Sequence, residues 1–301
     1  MANITTTDIR AYIAKRQSDV VITRKARRRK LDDDTWVELP AETKAVSNAE
    51  INRELTILKR AFSLAIQAGK LYHKPHIPLL KEDNVRRGFF DDPQIDSVIQ
   101  HLPEPLDDVI RFAFITGWRI PSEVLTLEWR QVDFAGGEVR LDPGTTKNSE
   151  GRVFPMTQEL RSLLESRQRG VAELKRTRAL LVPWVFYRMV ADGRAGEKQP
   201  RQIIAFNKAW AAACKSAGLP GRIPHDLRRS AVRNLVRAAI PERVAMQMTG
   251  HKTRSVFERY NIVSDTDLVS AARRLDEVAG HSVGIAKRAA TSAASSPTEI
   301  S

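Results

Sequence analysis

The apolar positions of this chain recur mostly at helical spacing, and strict alternation is confined to short runs. Near the start, Thr7 to Arg16 reads as a short helix with Ile9, Tyr12 and Ile13 on one side and threonines before it that can cap it. Ser47-Asn48-Ala49-Glu50 has the form of a capping box, and Ile51, Leu55, Leu58, Phe62 and Ala65 extend it into a helix with one buried face, ending at Gly69. Helices are expected again from Asp92 toward Leu102 and from Leu106 to Gly117. Glu138 to Leu141 and Gly151 to Phe154 alternate on either side of Pro143-Gly144, which predicts a β-hairpin in an otherwise helical chain. Thr157 to about Gln168 is a capped amphipathic helix; Leu180 to Phe186 is an apolar run, either a strand or simply core; Asp192 to Pro200 is a polar loop. Ile203, Phe206, Trp210, Ala213 and Ala217 stripe a further helix that stops at Gly218. Beyond Pro224 come Ala231, Val232, Leu235, Val236 and Ala239 at helical spacing, then a short helix from Glu242 to Met248, then Leu268, Val269, Ala272, Leu275 and Val278 after a helix start at Asp265 to Asp267. That last helix either packs on its own domain or docks on a neighbouring protomer. The fold class is therefore mainly α with a small β-hairpin or sheet, an α+β protein.

Pro75 and Pro78 interrupt the pattern, and Lys81 to Gly88 is short, polar and basic, which suits an interdomain linker with its boundary near residue 85. The expected organisation is a helical domain over 1–85, a second domain over 86–280 and an Ala- and Ser-rich, disordered tail over 281–301.

Charge narrows the class of partner. The 301 residues carry 49 Lys and Arg against 36 Asp and Glu, a formal net charge of +13. Such a balance favours polyanions, nucleic acid first. No apolar run approaches ~20 residues and the first residues lack a signal-peptide pattern, so a cytoplasmic location is expected. Cys214, the one cysteine, excludes an intrachain disulfide and leaves no cysteine cluster for zinc. Arg24, Lys25, Arg27, Arg28, Arg29 and Lys30 crowd one stretch that reads either as a solvated loop or as a segment tracking phosphates, with Asp32, Asp33 and Asp34 just after it. Residues 20–46 are the least legible part of the chain.

The chemistry gathers between Pro224 and Tyr260. His225 and Arg228 are three apart, so a helix presents both on one face. Gly250 suits the left-handed position that ends a helix, which sets His251 just past that end, with Arg259-Tyr260 following. Histidines, arginines and a tyrosine in this company are equipment for handling a phosphate.

Together, His225-x-x-Arg228, Gly250-His251 and Tyr260 resemble the C-terminal signature of the tyrosine recombinase (phage integrase) family. The resemblance extends upstream to Arg119, in Thr116-Gly117-Trp118-Arg119, and to Lys147, in the hairpin connection within a Lys-Asn-x-x-Gly-Arg pattern. Glu123 resembles the acidic residue that accompanies the first arginine, although it usually follows by three positions and here follows by four.

The resemblance implies a site-specific DNA recombinase that cleaves and rejoins strands through a 3′-phosphotyrosine, with Tyr260 as nucleophile. Arg119 and Arg228 would hold the phosphate oxygens, His225 would take the tyrosine proton, His251 would donate a hydrogen bond to the phosphate, and Lys147 would protonate the leaving oxygen. Glu123 would steady the site. The same resemblance implies no metal or other cofactor and a clamp on double-stranded DNA. Its first domain would be a helical core-binding (SAM-like) domain, without the arm-binding domain that many phage integrases place before it. Arg24, Lys25, Arg27, Arg28, Arg29, Lys30 and Arg229 are expected to contact DNA, and a homotetramer on two paired sites is expected, monomeric without DNA. Two alternatives stand beside this: a type IB topoisomerase, which usually carries Lys where His225 stands, and a non-catalytic DNA-binding protein.

Overall fold

The computed structural model describes residues 3–30, 32, 34–82, 88–144, 150–191, 196–258, 268–269 and 272–277. The chain divides into two compact units, Met1–Arg86 and Arg87–Ser301.

In the first unit, helix α1 (Thr6–Ser18) starts at Thr5, whose side chain accepts from the Asp8 backbone while Asp8 accepts from the Thr5 backbone N–H. Those reciprocal bonds satisfy two of the amides that a helix start leaves without partners. Helix α2 (Asn48–Gln67) has only half of the expected box: Ser47 caps the Glu50 amide. Ile9 and Ile13 of α1 pack on Ile51, Leu55 and Phe62 of α2, joined by Val46 and Ile77. Tyr12, expected on the same buried side, is exposed, and its hydroxyl donates to Glu54 Oε2 at 2.7 Å. Arg16 grips the same carboxylate (Nη2 to Oε1 2.6 Å), and the two donors hold Glu54 at about 2, well below the usual carboxylate range.

Between these helices the structure departs from the sequence reading. The basic run is no loop: β1 (Val20–Arg24) pairs with β4 (Glu42–Ala45) and β2 (Arg27–Lys30) with β3 (Trp36–Leu39), both antiparallel. All four residues of β2 are exposed. Burial drives most strands, and here it supplies no apolar alternation for a reader of sequence to detect. The ribbon rests instead on backbone pairing.

The second unit carries the larger core. Helix α3 (Asp92–Ile99) opens with a capping box between Asp91 and Gln94, and α4 (Leu106–Thr116) buries nearly its whole surface. After a π-type turn over Ile120–Val124, β5 (Val132–Asp133), β6 (Glu138–Leu141) and β7 (Arg152–Pro155) form an antiparallel sheet in that order. This is the predicted hairpin with one further strand.

Helix α5 runs from Gln158 to Arg178, ten residues past its expected end. Its buried residues stop at Arg167, and helix-favouring Ala, Glu, Leu, Lys and Arg carry it on into solvent. Leu180 to Phe186 is core rather than strand, with Val182, Val185 and Phe186 buried. β8 (Tyr187–Ala191) and β9 (Lys198–Gln202) form a second hairpin, which corrects the loop reading at residues 198–200. Helix α6 spans only Asn207–Ser216, so Ile203 and Phe206 enter the core from the segment before it. α7 (His225–Arg237), α8 (Glu242–Thr249) and α9 (Arg254–Glu258) complete the described elements. Among the described residues of the last predicted helix, Leu268, Val269 and Leu275 are exposed. The disordered tail expected at 281–301 lies outside the described residues.

Candidate active site

The ends of α4 and α8 meet at the site, where a Cβ on Gly117 would stand 3.3 Å from Thr249. Helix α4 stops at Gly117, whose φ of +68° is a conformation glycine adopts at no steric cost. A Cβ there would stand 2.9 Å from that of Ala231 on α7, so the close approach of α4 and α7 also demands glycine. Trp118 is then buried, with Nε1 donating to the Met248 carbonyl of α8 at 3.1 Å. Gly117 is thereby placed against α7, and the Arg228 Nη1 donates to its carbonyl at 2.6 Å.

Arg119 follows, a quarter exposed, and Glu123 is completely buried beneath it. One Glu123 oxygen accepts from the Arg119 backbone N–H (2.7 Å) and the other from its Nη1 (2.7 Å). The π-type turn explains how Glu123 does this from four positions away. Leu125 N–H bonds back to the Ile120 carbonyl, a five-residue loop that absorbs one extra residue and brings the carboxylate under its arginine. Among the described residues, the Arg119 Nε and Nη2 have no hydrogen-bond partner.

Arg152 closes the arrangement from the sheet. It is buried, donates through Nη1 and Nη2 to both Glu123 oxygens (3.2 and 3.0 Å), and donates through Nη1 to the Thr249 carbonyl at 2.9 Å. Burial lowers the Arg152 pKa, and the Glu123 carboxylate opposes that shift. Thr249 ends α8, and Gly250 caps it at φ +73°, directly over the Arg152 guanidinium.

His251 lies just past that end, as the spacing predicts. It is buried, each of its ring nitrogens sits 3.3 Å from the Arg228 guanidinium, and Nδ1 is 2.7 Å from the Thr249 hydroxyl. Burial first, then the charges of Arg228, Arg119, Arg152 and His225, push its pKa down to about 3. His225 is lowered in the same direction by burial and by Arg228 and Arg119. Both imidazoles are therefore neutral at pH 7, held among cations. Phe257 of α9, fully buried, packs edge-on against the His251 ring at 5.6 Å between centroids.

The structure thus brings together Arg119, His225, Arg228 and His251, with Glu123 beneath them. Lys147 and Tyr260 lie outside the described residues. Arg229 is a correction: expected at DNA, it is buried, with its guanidinium 5.2 Å over the Phe89 ring. As the neighbour of Arg228 on α7 it points into the protein because that helix end is covered on more than one side. The roles of two participants were missed in the sequence. Arg152 sits two residues before Phe154 in a strand whose alternate residues are buried, and that periodicity was the available signal. Thr249 gave none, since its part depends on where α8 ends. Among the described residues no group of three or more His, Cys, Asp or Glu could hold a metal ion.

Residues 89–267 match the model of the phage integrase family. The chain belongs to the phage integrase family. Among curated relatives, the integrase of Salmonella phage P22 is 28% identical over 234 residues, which is 76% of this chain and 58% of that protein. The tyrosine recombinase XerC of Bifidobacterium longum is 25% identical over 161 residues, 52% of this chain and 42% of that protein. The chain thus spans less than two thirds of the length of these relatives. Among solved structures, the Tn1549 transposon integrase in complex with a circular intermediate DNA superposes with a TM-score of 0.61 at 16% identity, covering 91% of this chain and 86% of that one. A lambda integrase dimer bound to a COC′ core site gives 0.56 at 18% identity, covering 87% and 65%. At these identities the likeness concerns the fold, the α+β architecture of these integrases. Among the described residues of this phage integrase family member, no helix is long and apolar enough to cross a membrane.

Proposed function

We propose that this phage integrase family member is a site-specific DNA recombinase that cleaves and rejoins strands through a 3′-phosphotyrosine at Tyr260. The observation that carries the reading is the Arg228–His251 contact at 3.3 Å, with Arg228 also bonded to the Gly117 carbonyl two residues before Arg119. Segments far apart in the chain converge there on one cationic cluster, with the buried carboxylates of Glu123 and Asp226 beside it. That cluster suits a phosphodiester.

The Tyr260 oxygen attacks phosphorus, the bond to the 5′ oxygen breaks, and charge develops on the non-bridging oxygens, where Arg119 and Arg228 donate. Neutral His225 takes the phenolic proton, without which a phenol of pKa about 10 is a poor nucleophile. Lys147 gives a proton to the departing 5′ oxygen. His251 donates a hydrogen bond to the phosphate, whose negative charge offsets the arginines that hold the histidine neutral. Glu123 positions Arg119, and Arg152 positions Glu123. The phosphotyrosine conserves the energy of the broken bond, so a second 5′-hydroxyl can reverse the step without ATP.

The partner in this reading is double-stranded DNA in the cytoplasm. Residues 1–85 act as the core-binding domain and 86–280 as the catalytic domain, with four protomers on two paired sites. A covalent trap tests it: incubate the protein with nicked fragments of its source genome, denature, capture protein-linked DNA and sequence it, with Tyr260→Phe in parallel. Adducts that share one sequence and vanish in the variant are expected. Adducts that persist in Tyr260→Phe would sink the reading, scattered adducts would favour a topoisomerase, and salt-sensitive binding without adducts would favour a non-catalytic binder.

A further inference from the structure

The ribbon in the first unit has two unlike faces. Cross-strand partners in an antiparallel pair share a face, and successive residues alternate between faces. The register pairs Arg27 with Leu39 and Arg29 with Val37, so these four lie on one side; Arg28 with Glu38 and Lys30 with Trp36 lie on the other. The second face is neutralised: Arg28 Nη2 meets Glu38 Oε1 at 2.8 Å and Lys30 Nζ meets Asp34 Oδ1 at 2.6 Å. The first face holds no acidic residue in the paired strands, and among the described residues Arg27 and Arg29 make no ion pair. A two-stranded ribbon alone is marginal in water, and this one buries no residue of β2 in a core, so packing does not account for its arginines.

We infer that the Arg27–Arg29 face of the ribbon is a contact surface for the DNA backbone, engaging phosphates irrespective of base sequence. The inference rests on the recombinase reading for its partner, and the chain's +13 charge points to the same one. Residues two apart on a strand are separated by about 6.8 Å, so the two guanidinium groups reach different phosphates. Exposed Val37, on the same face, spaces them without competing for them. On the opposite face each cation would have to leave a carboxylate, and Glu38 and Asp34 would repel the phosphates.

The test compares charge-matched variants of the full chain, Arg27→Ala/Arg29→Ala and Arg28→Ala/Lys30→Ala. Both remove two positive charges, one pair from each face. Binding to a fluorescent random-sequence duplex of about 30 base pairs is measured by anisotropy from about 50 to 200 mM KCl, with circular dichroism confirming the fold of each variant. Losing two phosphate contacts lowers the slope of log K against log salt by about 1.8 and the affinity roughly tenfold or more. Arg27→Ala/Arg29→Ala is expected to show that loss, and the opposite pair to keep a slope within about 0.5 of the parent. An unchanged Arg27→Ala/Arg29→Ala slope, or equal losses in both variants, overturns the inference. If the parent forms its Tyr260 adduct while Arg27→Ala/Arg29→Ala binds as tightly as the parent, only the ribbon assignment fails. If the parent does not bind DNA, both readings fall.

Discussion

The ribbon of the first unit and the Arg119–Glu123–Arg152 cluster of the second are built from the same kinds of residue and behave in opposite ways. In the ribbon, Arg28 and Glu38 are mostly exposed, so water already solvates both ions and their 2.8 Å contact adds little to stability. Around Glu123, burial removes that solvation, and each charge must be met by protein. A carboxylate with no exposed surface accepts from two arginines and one backbone amide, and its geometry is fixed as a result. Buried ions thus position the site, whereas exposed ions are left able to exchange one partner for another.

The contrast breaks most readily at Glu123. Glu123→Ala would leave Arg152 buried without its partner, and a loss of roughly 3–5 kcal/mol in urea unfolding is expected. A value below about 1 kcal/mol would mean that water reaches the cluster and that it differs little from the ribbon.

Acidity gives a second, smaller effect. The depressed pKa of His251 means that the unfolded chain takes up this proton from about pH 6.5 downward and the folded chain only near pH 3. Stability from this group is therefore complete above about pH 6.5 and is lost as pH falls toward 3. At pH 5 the loss is about 2 kcal/mol, and in His251→Gln the difference in unfolding free energy between pH 7 and pH 5 should shrink by about that amount. An undiminished pH dependence in the variant would place the titration elsewhere.

Two glycines sharpen the comparison further. Gly69, at φ +67°, has nothing within 4 Å of a built Cβ, whereas Gly250, at φ +73°, would place a Cβ against the Arg152 guanidinium. Gly69→Ala should cost only the left-handed backbone penalty of about 1 kcal/mol. Gly250→Ala should exceed it by about 1–3 kcal/mol and displace Arg152, as an overpacked interior does. Equal costs at the two sites would show that Arg152 yields freely. The smallest effect is expected in the ribbon: Arg28→Ala should leave the melting temperature within about 2 °C of the parent.

Much of the site was legible because its parts are local. Three-residue spacing put His225 and Arg228 on one helix face, and Gly250 marked the end that presents His251. Arg119 was legible as the link after Gly117. The four-residue offset to Glu123 looked like a departure from the family pattern and proved to be a turn with one extra residue, visible only once the backbone bonds are known. Arg152 entered the reading only as the last residue of the Lys-Asn-x-x-Gly-Arg pattern, because its bonds to Glu123 and Thr249 join residues far apart in the chain. Arg229 misled because charge does not reveal which side of a helix is covered.

By itself the sequence determined the order of the main helices, the hairpin near Pro143 and the resemblance to the family, and it offered candidates for the site. These depend on the nearest few residues, through side-chain periodicity and the conformational limits of glycine and proline. Only the tertiary structure decided which charges are buried, that Glu123 serves two arginines, that α8 ends beside Arg228, and that the basic run pairs into a ribbon with one face free of acid. Those outcomes depend on residues brought together from distant parts of the chain. The strength of a charge there is set by the solvent and partners it keeps, which no local pattern encodes.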